Sequence, residues 1–370
     1  MGFFKKSKKN DTPKKTEVIN KEELLNKESE QDENISDNNS LAPEVVKAID
    51  NIIPVISNGD INLIPSVYSG EVIASSIADA DLEDLLVLAD YTYNFISSDE
   101  KNKQGFGPTF LNGIVTGVVN RIRTAEKLYT VYNNLLRYPY PQIASGFAVL
   151  FFSEENAKLW SEDYKKNHES EVYVKELCGE DIKGYFAELT SLGIMTIGIE
   201  PTISKMTINH TPIFKTEFES VANPAVQFFA LRFIQLDKSK IYHNDAKQAH
   251  GALLSAIISS KFICPGKTVN GKFIAASLKR DDFSFLSVYT DKKELEKTKL
   301  ENPAAKEFLD SAELKELSFS ELEEFLKMPQ ISAITINISG IGFTIKREIY
   351  EGLYNAIKSN PGKNIKINVE

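Results

Sequence analysis

One succession of strands and helices is written twice in this sequence, and a chain that repeats itself on that scale has few folds open to it. Ala148-Val149-Leu150-Phe151-Phe152-Ser153-Glu154 runs from an apolar strand into a polar cap and an acidic first turn, and returns as Phe285-Leu286-Ser287-Val288-Tyr289-Thr290-Asp291. Ser153 and Thr290 read as the helix caps, because their hydroxyls can accept from the exposed amides of a first turn. Lys175-Glu176-Leu177 returns as Lys315-Glu316-Leu317. Each leads into a short apolar stripe at i, i+3 and i+4, Ile182-Tyr185-Phe186 in one case and Leu322-Phe325-Leu326 in the other. The alternating stretch Met195 to Ile199 returns as Ile334 to Ile338. The spacing of about 140 residues is far beyond that of a solenoid repeat and matches a small domain.

Extending the match upstream pairs a helix from Asp81 to Ile96 with one from Asn223 to Leu236, where Pro224 suits a first helical position. A second helix follows near 108–126 and 245–260, then the strands Leu128 to Tyr132 and Lys261 to Cys264. The expected architecture is α+β: two tandem modules in the order helix-helix-strand-strand-helix-helix-strand. The boundaries read as a tail at 1–40, a first module with an N-terminal extension at 41–215, and a second module at 220–370. The copies differ at a turn. Asn270-Gly271 predicts a type I′ hairpin in the second, whereas Tyr138-Pro139-Tyr140-Pro141 stands there in the first, where prolines argue against a regular ladder. A helix from about Arg347 and an edge strand from Ile365 to Val369 complete the second module; a helix after Pro43 and a strand from Ile61 to Val67 precede the first.

Residues 1–40 are rich in Lys, Glu, Asn, Asp and Ser and are expected to be disordered, with lysines first and carboxylates after. Such a tail is either a solvated appendage or a weak membrane-surface contact by residues 1–15, in which Phe3 and Phe4 enter the lipid beside the lysines. No apolar run approaches a bilayer span or a signal peptide, and Lys6 stands where a myristoylation pattern needs Ser or Thr. Two distant cysteines, Cys178 and Cys264, fit a reducing cytoplasm better than a secreted disulfide framework. A net charge of −9 argues against nucleic acid as a partner.

The second module resembles the SseB N-terminal domain of bacterial proteins named for enhanced serine sensitivity. The likeness rests on Phe262-Ile263-Cys264-Pro265 after a helix, the junction Leu286 to Lys292, Leu317-Ser318-Phe319 before a short helix, and Ile336-Asn337-Ile338 with Gly340 and Gly342 before Phe343. The first module joins the family through its match to the second. The resemblance implies an α+β fold and a bacterial cytoplasmic setting; it brings no catalytic residues.

Chemistry-bearing motifs are sparse. Gly266-Lys267-Thr268 lacks the upstream glycine of a phosphate loop, and Gly340-Ile341-Gly342 reads as a turn supplying positive φ. His243, Asp245 and His250 do not share one helical face, so Asn244 or Asp245 is read as a helix cap and no metal or cofactor is expected. Tyr129, Tyr132, Tyr138 and Tyr140 form the most suggestive set, with Tyr91 and Tyr93 upstream: either a partner-binding surface or filling for the core. The leading functional expectation is a non-enzymatic protein-interaction or regulatory module whose partner is a protein. A hydrolase or transferase with a site at the intermodule cleft is the alternative.

Overall fold

The computed structural model describes residues 80–98, 106–134, 136–142, 145–168, 171–215, 221–239, 242–280 and 283–348. The tail, the segment before residue 80, the helix expected beyond Arg347 and the strand at 365–369 lie outside them. The fold is α+β. Its first half runs through helices α1 (Leu82–Ser98) and α2 (Phe106–Thr124), strands β1 (Lys127–Asn133) and β2 (Ala148–Phe151), helix α3 (Glu154–His168), strand β3 (Val172–Cys178), helix α4 (Glu180–Ser191) and strands β4 (Thr196–Ile199) and β5 (Thr207–Asn209). The second half runs through α5 (Pro224–Asp237), α6 (His243–Ile258), β6 (Lys261–Val269), β7 (Lys272–Ala275), β8 (Ser277–Arg280), β9 (Phe283–Val288), α7 (Lys292–Glu301), α8 (Pro303–Ser311), β10 (Glu313–Ser318), α9 (Phe319–Leu326), β11 (Ala333–Ile336) and β12 (Phe343–Lys346).

The first sheet is ordered β3-β1-β2-β4-β5, with only β2 and β4 parallel. In the second half β10-β6-β7 and β12-β11-β9-β8 are joined where Ile263 bridges Tyr289, so β10, β6, β9, β11 and β12 lie side by side in the order of the first sheet, again with one parallel pair, β9 and β11. Lys175-Glu176-Leu177 and Lys315-Glu316-Leu317 lead into helices α4 and α9, as their sequence context predicts, and are themselves part of the edge strands β3 and β10. Their alternation is blurred because an edge strand buries little of either face; β3 seals only Val172 and Leu177. Helix α8 adds an element that the repeat pattern does not predict, although Asn302 caps it and Pro303 opens it in the usual way.

The turns show why one hairpin is regular and the other is not. Asn270 and Gly271 both take positive φ (52° and 75°), as a type I′ turn requires. In the first half Pro139 bridges Tyr132, while the flanking residues make the ladder: Tyr140 N–H donates to Val131 O at 2.9 Å and Asn133 N–H to Tyr138 O at 2.9 Å. Pro139 occupies a position that needs no donor, so a partial ladder forms where the prolines argued against one. Tyr138 thereby takes the place that Ile274 has beside β6.

Both sheets are covered on two faces. Leu128, Tyr132, Leu150, Ile197 and Ile199 turn toward α1, α2 and α4, and Phe262, Cys264, Val288, Ile334 and Ile336 toward α5, α6 and α9, within one continuous buried cluster. The opposite face of the first sheet, Tyr129, Val131, Val149 and Phe151, is covered by Ala157 and Tyr164 of α3 and also by Leu236, Ala246 and Ala249 of α5 and α6. The first two helices of the second half therefore serve both sheets. Gly193, just past α4, makes the approach of α5 possible: its φ is +70°, and a Cβ there would stand 2.5 Å from Pro224 O. Gly193→Ala is expected to cost about 2 kcal/mol or more, the sum of a left-handed side-chain penalty and a backbone clash. Urea unfolding of the two proteins measures it, and an unchanged midpoint contradicts the account.

Candidate functional site

The site is built from the start of α7. Asp291, not Thr290, caps that helix, accepting Glu294 N–H at 3.0 Å. Thr290 is held instead by Asn337, whose Oδ1 accepts Thr290 N–H at 2.9 Å. Asn337 takes positive φ (51°) at the end of β11, while Gly340 and Gly342 do not; the left-handed position expected at the glycines belongs to the asparagine. The first half has the same device with different chemistry. Glu200, φ 43° at the end of β4, is 2% exposed and accepts from Phe152 N–H (2.6 Å) and Ser153 N–H (3.2 Å) at the start of α3. Both residues also donate their own N–H at 2.9 Å to the neighbouring strand, to Leu150 O and Val288 O.

At the third residue of the helix the two halves exchange groups. Asn156 in α3 donates to Glu200 Oε2 at 3.0 Å, satisfying the buried carboxylate. In α7 that position is Glu294, and the strand end carries the amide. Asn337 spends its own side chain on Thr290, whose hydroxyl accepts from Nδ2 at 2.9 Å. Glu294, 6% exposed, is thus deprived of the partner its counterpart has.

It turns to the first half. Tyr138 donates to Glu294 Oε1 at 3.3 Å and accepts from Lys297 Nζ at 2.8 Å, with the ammonium 4.8 Å above the tyrosine ring. Among the described residues Glu294 Oε2 has no hydrogen-bond partner, and it lies against Gly340, where a methyl group would collide with it. Burial pushes the Glu294 carboxyl up to about 7, Lys297 opposing and Asp291 adding. Burial and then Glu294 raise the Tyr138 phenol, which stays a donor. Beside this lies a parallel set in the first half: Tyr132 donates to Glu188 Oε2 at 2.7 Å, and Lys175 Nζ sits 4.4 Å above the Tyr132 ring. Burial raises Glu188, while Tyr132, Lys175 and the α7 residues Lys293 and Lys297 hold it down. Two lysine-tyrosine-carboxyl sets thus meet where the halves join, each with a tyrosine donating to a carboxyl.

All four tyrosines singled out in the sequence are buried: Tyr129 8%, Tyr132 2%, Tyr138 8% and Tyr140 1% exposed. They form no open contact face, because β1 is an inner strand covered on both sides. Tyr132 and Tyr138 enter the seam described above; Tyr129 and Tyr140 pack in the cluster of Trp160 and Tyr164, with Tyr140 edge-on to Tyr164 at 5.3 Å. Of the upstream pair, Tyr93 is exposed and Tyr91 half-buried. Helix α6 starts at His243 behind Tyr242, which makes no side-chain cap bond, so neither Asn244 nor Asp245 is the cap. His250 packs against the rings of Phe233 and Phe343. Among the described residues no three His, Cys, Asp or Glu side chains are grouped to hold a metal. Gly266 lies within β6 with Phe273 and Ile274 against it, a strand contact and not a phosphate cradle. Sequence reasoning missed Glu294 because Asp291-Lys292-Lys293-Glu294 reads as an ordinary helix start.

A second feature is on the surface. The sheet face that buries Ile263 beneath α7 and α8 continues outward along the β6–β7 hairpin, where Leu314, Val269 and Ile274 are 41%, 48% and 56% exposed. Lys267 and Lys272 share that face and are exposed. Among the described residues no strand pairs with the outer edge of β7.

Compared with family models, curated proteins and solved structures, the chain finds no match in any of the three. Among the described residues no helix is long and apolar enough to cross a membrane. The clamp at the start of α7 can be tested directly. Asn337→Ala removes the acceptor of a buried N–H and is expected to destabilise the protein by about 2 kcal/mol. Asn337→Gly, which relieves the left-handed backbone but also loses the acceptor, is expected to recover only part of that in thermal unfolding.

Proposed function

We propose that the chain is a non-enzymatic interaction protein of the bacterial cytoplasm, formed from two diverged copies of one SseB-like module. Its partner-binding surface, in this reading, is the outer face of the β6–β7 hairpin. The observation that carries it is the exposed strip Leu314, Val269 and Ile274, a continuation of a face that is core elsewhere in the same sheet. Apolar residues set among cations at a sheet edge suit a protein segment that brings aliphatic side chains and carboxylates together. Lys267 and Lys272 supply the cations. The shared strand order and the paired left-handed residues Glu200 and Asn337 support the duplication.

Ile274→Glu combined with Val269→Glu is expected to abolish capture of a defined partner from native lysate while leaving the stability within about 0.5 kcal/mol of wild type. Full retention of every captured protein by the double variant would falsify the reading.

The hydrolase or transferase reading has one observation in its favour, the two raised carboxyls Glu188 and Glu294 near Tyr138. Its weakness is that each carboxyl is engaged by a tyrosine and Glu294 is sealed from solvent. A substrate would have to displace those contacts.

A further inference from the structure

We propose, building on the reading of the β6–β7 hairpin as a binding surface, that its partner is a second copy of this chain. The second copy presents helix α3 to the hairpin, so that copies join head to tail.

The hairpin suits an aliphatic group set among carboxylates, since Val269 and Ile274 stand exposed beside Lys267 and Lys272. Helix α3 carries that combination. Leu159 is 55% exposed. One turn before it on the same side of the helix is Glu155, and one turn after it are Glu162 and Asp163, all exposed. The cation next to it, Lys158, is already paired with Glu154 at 2.6 Å. A leucine ringed by acids and two aliphatic residues beside lysines are opposite in charge and alike in apolar character. All of them are exposed in one chain, so the two surfaces do not cover each other there. A second copy brings them together.

The chain already uses this placement within itself. Tyr138 lies beside β1 as Ile274 lies beside β6, and it is held by Lys297, the sixth residue of α7. The sixth residue of α3 is Leu159. At the inner contact both members are polar and joined by a hydrogen bond, whereas at the two outer places both are aliphatic and exposed. A single exposed leucine needs no explanation, but aliphatic residues at both counterpart positions of a contact do. Two hairpins meeting face to face are disfavoured, because that arrangement sets Lys267 and Lys272 against their own images. Helices α7 and α8 cover the inner part of the hairpin's face at Ile263, so the contact takes the outer strip alone. Each copy offers one hairpin and one α3, and the row of copies does not have to end at two.

The test is sedimentation velocity of the full chain over a concentration series reaching about 0.5 mM, where a small contact of this kind is populated. The wild type is expected to sediment faster as concentration rises, passing beyond a dimer. L159K sets a lysine against the lysines of the hairpin, and I274E sets a carboxylate against those of α3; each is expected to stay monomeric. Mixed in equal amounts they are expected to form a one-to-one dimer, since L159K keeps an intact hairpin and I274E an intact α3. The two altered faces offer each other only an exposed ion pair, which is worth little. Should circular dichroism show either variant unfolded, L159A and I274A replace them, each expected to weaken association about tenfold. Association of the Leu159 variant that matches the wild type, or no dimer in the mixture, overturns the proposal. So does a wild type that stays monomeric throughout. If its hairpin still captures a protein from lysate, the strip belongs to a different partner, and the reading of the hairpin as a binding surface survives.

Discussion

Helices α5 and α6 bury one flank against each of two sheets, and nearly every other feature of the molecule follows from that sharing. Leu231, Leu253 and Ile257 lie under the second sheet, whereas Leu236, Ala246 and Ala249 cover the back of the first. Neither sheet is sealed without this helical pair. The small residues on the second flank matter as much as the large ones on the first, since alanines let α6 lie close to a sheet already filled with Tyr129 and Phe151. Gly193 and Pro224 set the angle at which the pair arrives. The seam between the halves is consequently a packed interior for much of its extent, with polar contacts where Tyr138 meets α7 and where Arg232 of α5 donates to Gln142 O of the first half.

How far the sequence reveals this depends on which kind of signal a residue leaves. Helices announce themselves by period: α1, α2, α5 and α6 fall within about two residues of where their apolar stripes put them, the accuracy expected of helix ends. The Asn270-Gly271 turn is equally plain, since few residue pairs tolerate two positive φ angles in succession. Edge strands are not plain. In β10 only Leu317 is buried, so its pattern cannot be told from a helix lead. The tyrosines stand out in the sequence, but nothing near them says that they are covered. Tyr129 is hidden by α3 together with a helix pair far along the chain, and Tyr132 by helices on the opposite face of the sheet. No local window contains that information.

The exchange of an amide and a carboxyl between the halves is invisible for a different reason. Asn156 with Glu200 and Glu294 with Asn337 become counterparts only once strand register is known, because the parallel pairs β2–β4 and β9–β11 fix which strand end faces which helix start. Matching the two halves by residue type alone slides them past one another by a residue or two and aligns Ser153 with Thr290, whereas the caps are Ser153 and Asp291. Hydrogen bonds set the register here, and chemical likeness does not.

The place taken by Tyr138 has a geometric consequence. In the first half, the segment beside β1 meets a helix of the second half, so unlike surfaces are joined and each half plays a different part in the contact. Contacts of that kind have direction and do not close as a symmetric pair of like surfaces does. Ile274 holds in the second half the place that Tyr138 holds in the first, yet it stands 56% exposed. The molecule is polar in the sense that a row of bricks is: at one end Tyr138 is covered by its neighbour, and at the other Ile274 faces outward.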